Sequence, residues 1–287
     1  MMKKNLLLIL MCFVCGLVYA HDGLNFRNLD VKSGISDNYV RSVLRDRYGF
    51  MWFATLNGLN RYDGYQFKKY TTTQLGAYNN DIESIAEDAA GNIWIKGPVS
   101  YYIYDREQDK LENKIQPILN KYGITGEVSY LTVDKDYNLW CTVMDTLFHY
   151  DFTKNKLHTF QLPGKEKMQQ VVCRRSCAYL LFSNGEIARI DSNFQQIRPE
   201  TRRTLSSGLQ YNLYIDTVDR LWFYASHASG LQCYDTNQKQ WIDYIGGQEL
   251  TDALITAVMD DGDAIYGLER MTKEFISVTI KTSNWCG

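Results

Sequence analysis

The chain has 287 residues, of which 45% are hydrophobic, 22% charged and 14% aromatic. This is globular composition, and it excludes a disordered, collagenous or coiled-coil protein. The formal charge of −2, from 31 basic and 33 acidic residues, offers no basic excess, so a nucleic-acid partner is not expected.

The first twenty residues read as a targeting signal. Lys3 and Lys4 form a positive start, Leu6 to Val18 is apolar, and Val18-Tyr19-Ala20 suits a cleavage site. The pattern predicts a secretory signal peptide over 1–20, cut after Ala20. The apolar run is short of the roughly 20 residues that span a bilayer. Cys12 and Cys15 follow Met11 and Val14 rather than small residues, so lipidation is not expected. Cleavage leaves 29 basic and 33 acidic residues and no later apolar run long enough to span. Residues 21–287 are therefore expected as one exported, soluble domain with no direct membrane span. Five cysteines remain, Cys141, Cys173, Cys177, Cys233 and Cys286. Their spacing follows neither a disulfide framework nor a zinc site, and they are expected as buried small hydrophobes.

A repeat then organises the chain. Asp46-Arg-Tyr-Gly49-Phe-Met-Trp52 recurs as Asp88-Ala-Ala-Gly91-Asn-Ile-Trp94, as Asp134-Lys-Asp-Tyr-Asn-Leu-Trp140 and as Asp216-Thr-Val-Asp-Arg-Leu-Trp222. Each copy is followed by a short apolar stretch ending in Tyr-Asp, at Asp63, Asp105, Asp151 and Asp235. The tryptophans lie 42, 46 and 82 residues apart. The last interval is two periods, so a degenerate copy is expected at 179–191, with Leu180 at the tryptophan position. A sixth, weaker copy starts at Met259, and Lys281 to Gly287 looks like the opening of another. In the first copy, strands are expected around Val43–Leu44, over Met51–Ala54, Leu59–Tyr62 and Gln66–Tyr70. Turns separate them at 47–49, Asn57-Gly58 and Asp63-Gly64. Four short strands per period of 40–46 residues is the layout of a β-propeller blade. The tryptophans are expected to pack between blades. Residues 108–126, with Pro117, form the longest insertion and are expected to hold a short helix.

These residues resemble the two-component regulator propeller family. The match is carried by Gly34-Ile-Ser-Asp-Asn38-Tyr-Val-Arg-Ser42-Val-Leu-Arg-Asp46, by Gly49 to Thr55, and by Asn57 to Phe67. The second copy, Asn80 through Trp94, is also close, with Pro98 and Ser100 departing from the family pattern. The resemblance implies the periplasmic sensor portion of a hybrid histidine kinase, many of which detect polysaccharide breakdown products. Such proteins normally carry two seven-bladed propellers, a β-sandwich, a membrane helix, a kinase core and a response regulator. By that comparison this chain is a truncated or split member, and its partner is a membrane-bound kinase portion or a second polypeptide.

Enzyme readings find little in the residues. A sialidase-like site needs an arginine cluster, and Arg174-Arg175 and Arg202-Arg203 read as adjacent pairs in different blades. His21, His149, His158 and His227 lack metal-ligand spacing, although His149 and His158 are placed to meet across a hairpin. No catalytic residue, metal or cofactor is expected. Sugars are held by aromatic faces with planar polar groups, and Tyr101-Tyr102, Tyr211, Tyr214, Tyr224 and Trp241 are candidates. Most of them are expected to pack between blades. Loops 72–80, 108–126 and 225–230 are the regional expectation for binding, with no ligand residue assigned.

The sequence thus predicts an all-β propeller of about six four-stranded blades, or an incomplete ring of seven. Its expected function is ligand sensing, with an oligosaccharide as the ligand. The alternative is a stand-alone extracytoplasmic binding scaffold or non-signalling fragment, and a minor alternative is a glycan-active enzyme.

Overall fold

The computed structural model describes residues 28–164, 166–174, 177–191, 193, 196–202, 211–225, 228–242, 258–260, 265–266, 268–269 and 275–276. The expected signal peptide, His21, His227, Cys286 and the tail from Lys281 lie outside the described residues.

Five four-stranded antiparallel sheets succeed one another, each ordered first strand to fourth. Blade one holds β1 (Val40–Arg45), β2 (Met51–Thr55), β3 (Gly58–Tyr62) and β4 (Phe67–Tyr70). Blade two holds β5 (Ser84–Glu87), β6 (Ile93–Lys96), β7 (Tyr101–Asp105) and β8 (Lys110–Glu112). Blade three holds β9 (Val128–Val133), β10 (Leu139–Val143), β11 (Thr146–Asp151) and β12 (Lys156–Gln161). Blade four holds β13 (Met168–Arg174), β14 (Cys177–Phe182), β15 (Glu186–Ile190) and β16 (Ile197–Arg202). Blade five holds β17 (Tyr211–Ile215), β18 (Arg220–Ala225), β19 (Ala228–Asp235) and β20 (Gln240–Ile242). Where a sixth copy is expected, Met259–Asp260 pairs with Ile265–Tyr266, and Leu268–Glu269 with Phe275–Ile276.

The cores lie between blades. Trp52, Ala54 and Leu59 of blade one meet Ile85, Ile93 and Ile95 of blade two. Trp94 and Ile103 meet Leu131, Leu139 and Cys141 of blade three. Trp140, Leu147 and Phe160 meet Val171, Ala178 and Leu180 of blade four. Tyr179, Leu181 and Ile187 meet Leu213, Leu221 and Phe223 of blade five. The sheets of blades two to four bury both faces against their neighbours, so no blade has a core of its own and stacking supplies the stability. The back of blade one differs: Val43 is 52% exposed, whereas its counterpart Ile85 is 8% exposed.

These faces correct one expectation. Trp52, Trp94 and Trp140 all face the following blade, and in blade four Tyr179 does so while Leu180 faces back toward Trp140. Tyr179, and not Leu180, therefore holds the tryptophan position. Its cross-strand partner Arg189 lies two residues before Asp191, as Arg61 lies before Asp63 and His149 before Asp151. Strand side chains alternate, so an alignment slipped by one residue swaps the two faces.

Each first strand is the open inner edge of its sheet, with N–H groups the ladder leaves over. The preceding blade supplies acceptors for them. Ser42 Oγ accepts from Ile85 N at 3.4 Å, Tyr101 Oη from Leu131 N at 2.9 Å and Tyr130 Oη from Val171 N at 3.0 Å. Gln170 bonds both backbone groups of Leu213, at 2.6 and 3.0 Å. The insertion after β8 packs outside this inner ring. There α1 (Gln116–Lys121), started by Pro117, buries Leu119 over the core between blades two and three.

Candidate functional site

The ring has two chemically different ends. The β1–β2 and β3–β4 turns of each blade lie at one end and are tight and rich in aspartate. The β2–β3 hairpins and the connections between blades lie at the other.

At the aspartate end, a carboxylate organises the first turn of blades one, two, three and five. Asp46 Oδ1 accepts from Tyr48 N and Phe50 N at 3.0 Å, and Oδ2 accepts from Trp52 Nε1 at 2.9 Å. Asp88 holds Asn92 N and Trp94 Nε1, at 2.9 and 2.8 Å. Asp134 holds the amides of Asp136 and Asn138 and the Trp140 indole. Asp216 holds Val218 N, Arg220 N and Trp222 Nε1. The third residue after each aspartate is left-handed, at Gly49 (φ 89°), Gly91 (φ 90°), Tyr137 (φ 63°) and Asp219 (φ 66°). The six-residue spacing lets one side chain fold the turn and fix the indole that fills the next interface. Asp63, Asp105, Asp151 and Asp235 perform a related task in the β3–β4 turns, each accepting two backbone amides. The amides of Gln66 and Tyr65 lower the Asp63 carboxyl below its ordinary 3.8. These carboxylates are thus engaged within the fold.

Neighbouring first turns also grip each other. Arg47 donates through Nε to Glu87 at 2.8 Å and through an outer nitrogen to Asp88 O at 2.7 Å. Arg106 joins Asp46 at 3.2 Å and Glu87 at 3.1 Å, over the Tyr48 ring. Ala89 N donates to Tyr137 O at 3.0 Å, linking blades two and three. Arg174 binds Thr217 O and, at 2.9 Å, Asp219, linking blades four and five. Between blades three and four the series is broken. In blade four Arg174 pairs directly with Cys177, which leaves no room for the six-residue step from aspartate to tryptophan.

A cavity of about 130 Å³ lies at this break, with Asp134, Lys135, Trp140, Val172, Cys173 and Tyr214 in its wall. Lys135 follows the blade-three aspartate as Arg47 follows Asp46. Its ammonium lies 5.2 Å from the centre of the Tyr214 ring in blade five. No carboxylate among the described residues pairs with it. Burial raises the Asp134 carboxyl, against the indole and amide bonds that lower it. Burial also pushes the Cys173 thiol well above 9, with Asp134 and Asp136 adding to the rise. The thiol is therefore protonated and a poor nucleophile.

The remaining expected positions fall as follows. His149 and His158 do pair across β11–β12, with ring centres 5.7 Å apart, and His149 stacks on Trp140 at 4.0 Å. Burial and the neighbouring His158 lower His149 to about 4, so it is neutral at pH 7. Cys141, Cys173, Cys177 and Cys233 are free thiols. Arg174 and Arg202, read from sequence as belonging to different blades, lie in one sheet, on its first and fourth strands. The sequence misled there because blade four has lost the residues that mark its borders. Among the aromatic candidates, Tyr102 is in the blade one–two core, and Tyr211 stacks on Phe223 at 4.8 Å. Trp241 Nε1 donates to Thr201 Oγ1 at 3.1 Å, and burial raises both Tyr101 and Tyr224 to about 12. Tyr214 is the candidate that lines the cavity.

At the loop end, Thr72 and Thr73 amides converge on Asn80 Oδ1 at 3.0 Å, while Tyr78 is fully exposed. Arg41 pairs with Asp81 at 3.1 Å. The loop over 108–126 serves the core through Leu119 and Ile124, and residues 226–227 of the loop over 225–230 lie outside the described residues. Sequence reasoning missed Lys135, Arg47 and Arg106, and weighed Arg174 only as part of an arginine cluster. A basic residue directly after the repeat aspartate, at Arg47 and Lys135, was the available signal.

Residues 34–57 match the family described as two component regulator propeller. No curated protein matches the chain. Among solved structures, the chain is similar to the extracellular domain of the putative hybrid two component system BT3049 from B. thetaiotaomicron. The TM-score is 0.59 at 19% identity, over 88% of this chain and 36% of that one. The corresponding domain of BT4673 from the same organism gives 0.56 at 20% identity, over 88% and 35%. Virginiamycin B lyase from Staphylococcus aureus gives 0.54 at 16% identity, over 81% and 78%. The chain thus spans about a third of the two extracellular domains, at 36% and 35%. The fold is a β-propeller, and residues 34–57 match a repeat of the two component regulator propeller family.

Proposed function

We propose that this chain is the extracytoplasmic input propeller of a two-component sensor. In this reading residues 1–20 direct export to the periplasm and are removed. Residues 21–287 then bind an oligosaccharide and act on a membrane-bound kinase portion, in the same polypeptide or a second one. The observation that carries the reading is the family repeat at 34–57, continued at the same spacing through five stacked blades. The two similar extracellular sensor domains support it. No helix among the described residues is long and apolar enough to cross a membrane, so the reading assigns signal transfer to the kinase portion.

The role is binding rather than catalysis. The repeat aspartates are occupied by amides and indoles, the stacked His149 is held neutral, and the Cys173 thiol is held protonated. A bound ligand shifts a sensor only by its differential affinity for two states. Reversing a 1:99 population takes about 5.5 kcal/mol of preference. Thermal melting of the full chain against a panel of oligosaccharides tests the reading. A saturable rise is expected, about 2.7 kcal/mol of stabilisation at a hundredfold excess over Kd. A flat response across the panel contradicts it and favours a scaffold role.

A further inference from the structure

We propose that the cavity between blades three, four and five, beside a blade-four hairpin that lacks the aspartate and tryptophan of the repeat, is a binding subsite for one anionic sugar unit, with Lys135 supplying the positive charge. The proposal rests on the sensor reading above and adds to it a place and a ligand chemistry.

Three observations converge on this gap. First, the cavity of about 130 Å³ has room for a single ring-sized group. Second, the cation at its edge lacks the partners its counterpart enjoys. Arg47 binds the carboxylate of Glu87 and the carbonyls of Asp88 and Ala89. Lys135 has the face of Tyr214, and no carboxylate among the described residues. A cation lying on an aromatic ring keeps its charge available to an incoming anion. Third, the wall is mostly apolar, with Trp140, Val171, Val172 and Ile215 in it. Charge pairing is stronger beside such a surface than in open water.

Lys135 stands between two acidic residues, Asp134 and Asp136, and both bear on the Cys173 thiol in the wall. Asp134 has both oxygens taken by two amides and the Trp140 indole, and Asp136 is exposed to solvent. Arg174, at the end of β13, is paired with Asp219. A carboxylate or a sulfate ester on a sugar ring meets these requirements, with the ring against the apolar wall. Regularity is broken in blade four alone among the five complete blades, and departures from a repeat's own rule are where function is expected.

Calorimetric titration of the full chain with glucuronate, a sulfated glucose and glucose tests this. Both anionic probes, or one of them, are expected to bind at least about tenfold more tightly than glucose and to weaken with salt. A response to glucuronate alone identifies a uronate, and a response to the sulfated sugar alone identifies a sulfate ester. Lys135→Met is expected to abolish the preference and Lys135→Arg to retain it, with unchanged melting temperatures because Lys135 is exposed. Tyr214→Leu is expected to weaken all three probes. Equal binding of the three probes, no binding of any, or anionic binding indifferent to Lys135→Met overturns the subsite. The oligosaccharide melting panel is read separately. Shifts there that Lys135→Met leaves intact retain the sensor reading and remove only this site.

Discussion

Blades three and four make the same four-stranded sheet and share one core, yet they are built on different first turns. Blade three uses the Asp134 carboxylate to fold its turn and hold Trp140. Blade four has neither residue. It joins its first two strands closely, from Arg174 to Cys177, and places Tyr179 in the interface. The interblade core tolerates this exchange because Tyr179 still presents a large ring to the next blade. The surface does not, since Lys135 there lies against the Tyr214 ring at the edge of a cavity. Packing and surface are therefore separable parts of one repeat: a degenerate copy can keep the first and reshape the second.

The comparison can be broken most strongly in blade three. Trp140→Ala empties the shared core and is expected to cost about 3–5 kcal/mol, measured by denaturant unfolding. A loss below about 1 kcal/mol would show that the interface does not rest on the indole. The next effect is one of pH. The unfolded chain protonates a histidine near 6.5, whereas His149 in the fold resists protonation down to about 4. The unfolded state thus binds more protons across this window, so stability is complete above 6.5 and falls as pH drops toward 4. The expected loss is up to about 3 kcal/mol. His149→Phe should flatten that part of the profile. Blade four sharpens the contrast, because Arg189 stands at the same register position and stays charged throughout.

A smaller effect is expected from the turn itself. Asp134→Ala leaves the Trp140 N–H and two amides without their acceptor, at a cost of about 2 kcal/mol. The smallest expected change is a gain. Tyr137 is an exposed non-glycine residue at φ 63°. Tyr137→Gly is expected to stabilise by about 0.5–1 kcal/mol, seen as a small rise in melting temperature. A fall there would mean that the Tyr137 ring makes a contact that outweighs the backbone strain.

Much of the fold could be read because four blades repeat the same letters. Asp46, Gly49 and Trp52 mark a turn whose chemistry is local, so the β1–β2 hairpin and the two turns after it fell near their expected places. The blade-four register was not legible for the same reason. Without its aspartate and tryptophan nothing anchors the alignment, and the choice between Tyr179 and Leu180 depends on the length of the turn after Arg174. The cavity was harder still. Lys135 and Tyr214 stand two blades apart, and their meeting depends on what is missing between them. Tyr214 was one aromatic among several candidates, and its neighbours in the ring decided its exposure. The binding expectation placed on the loops over 72–80 and 108–126 followed loop length. The second of these instead contributes Leu119 and Ile124 to a core.

The most direct test of ligand input at the blade-four gap is amide hydrogen exchange on the full chain, without ligand and with saturating glucuronate and sulfated glucose in turn. The account predicts that at least one of the two concentrates protection at 132–135, 171–174 and 213–215, the three strand ends around the cavity. Protection confined to the opposite end, around 39–41, 78–81 and 144, or no protection at all, would contradict it.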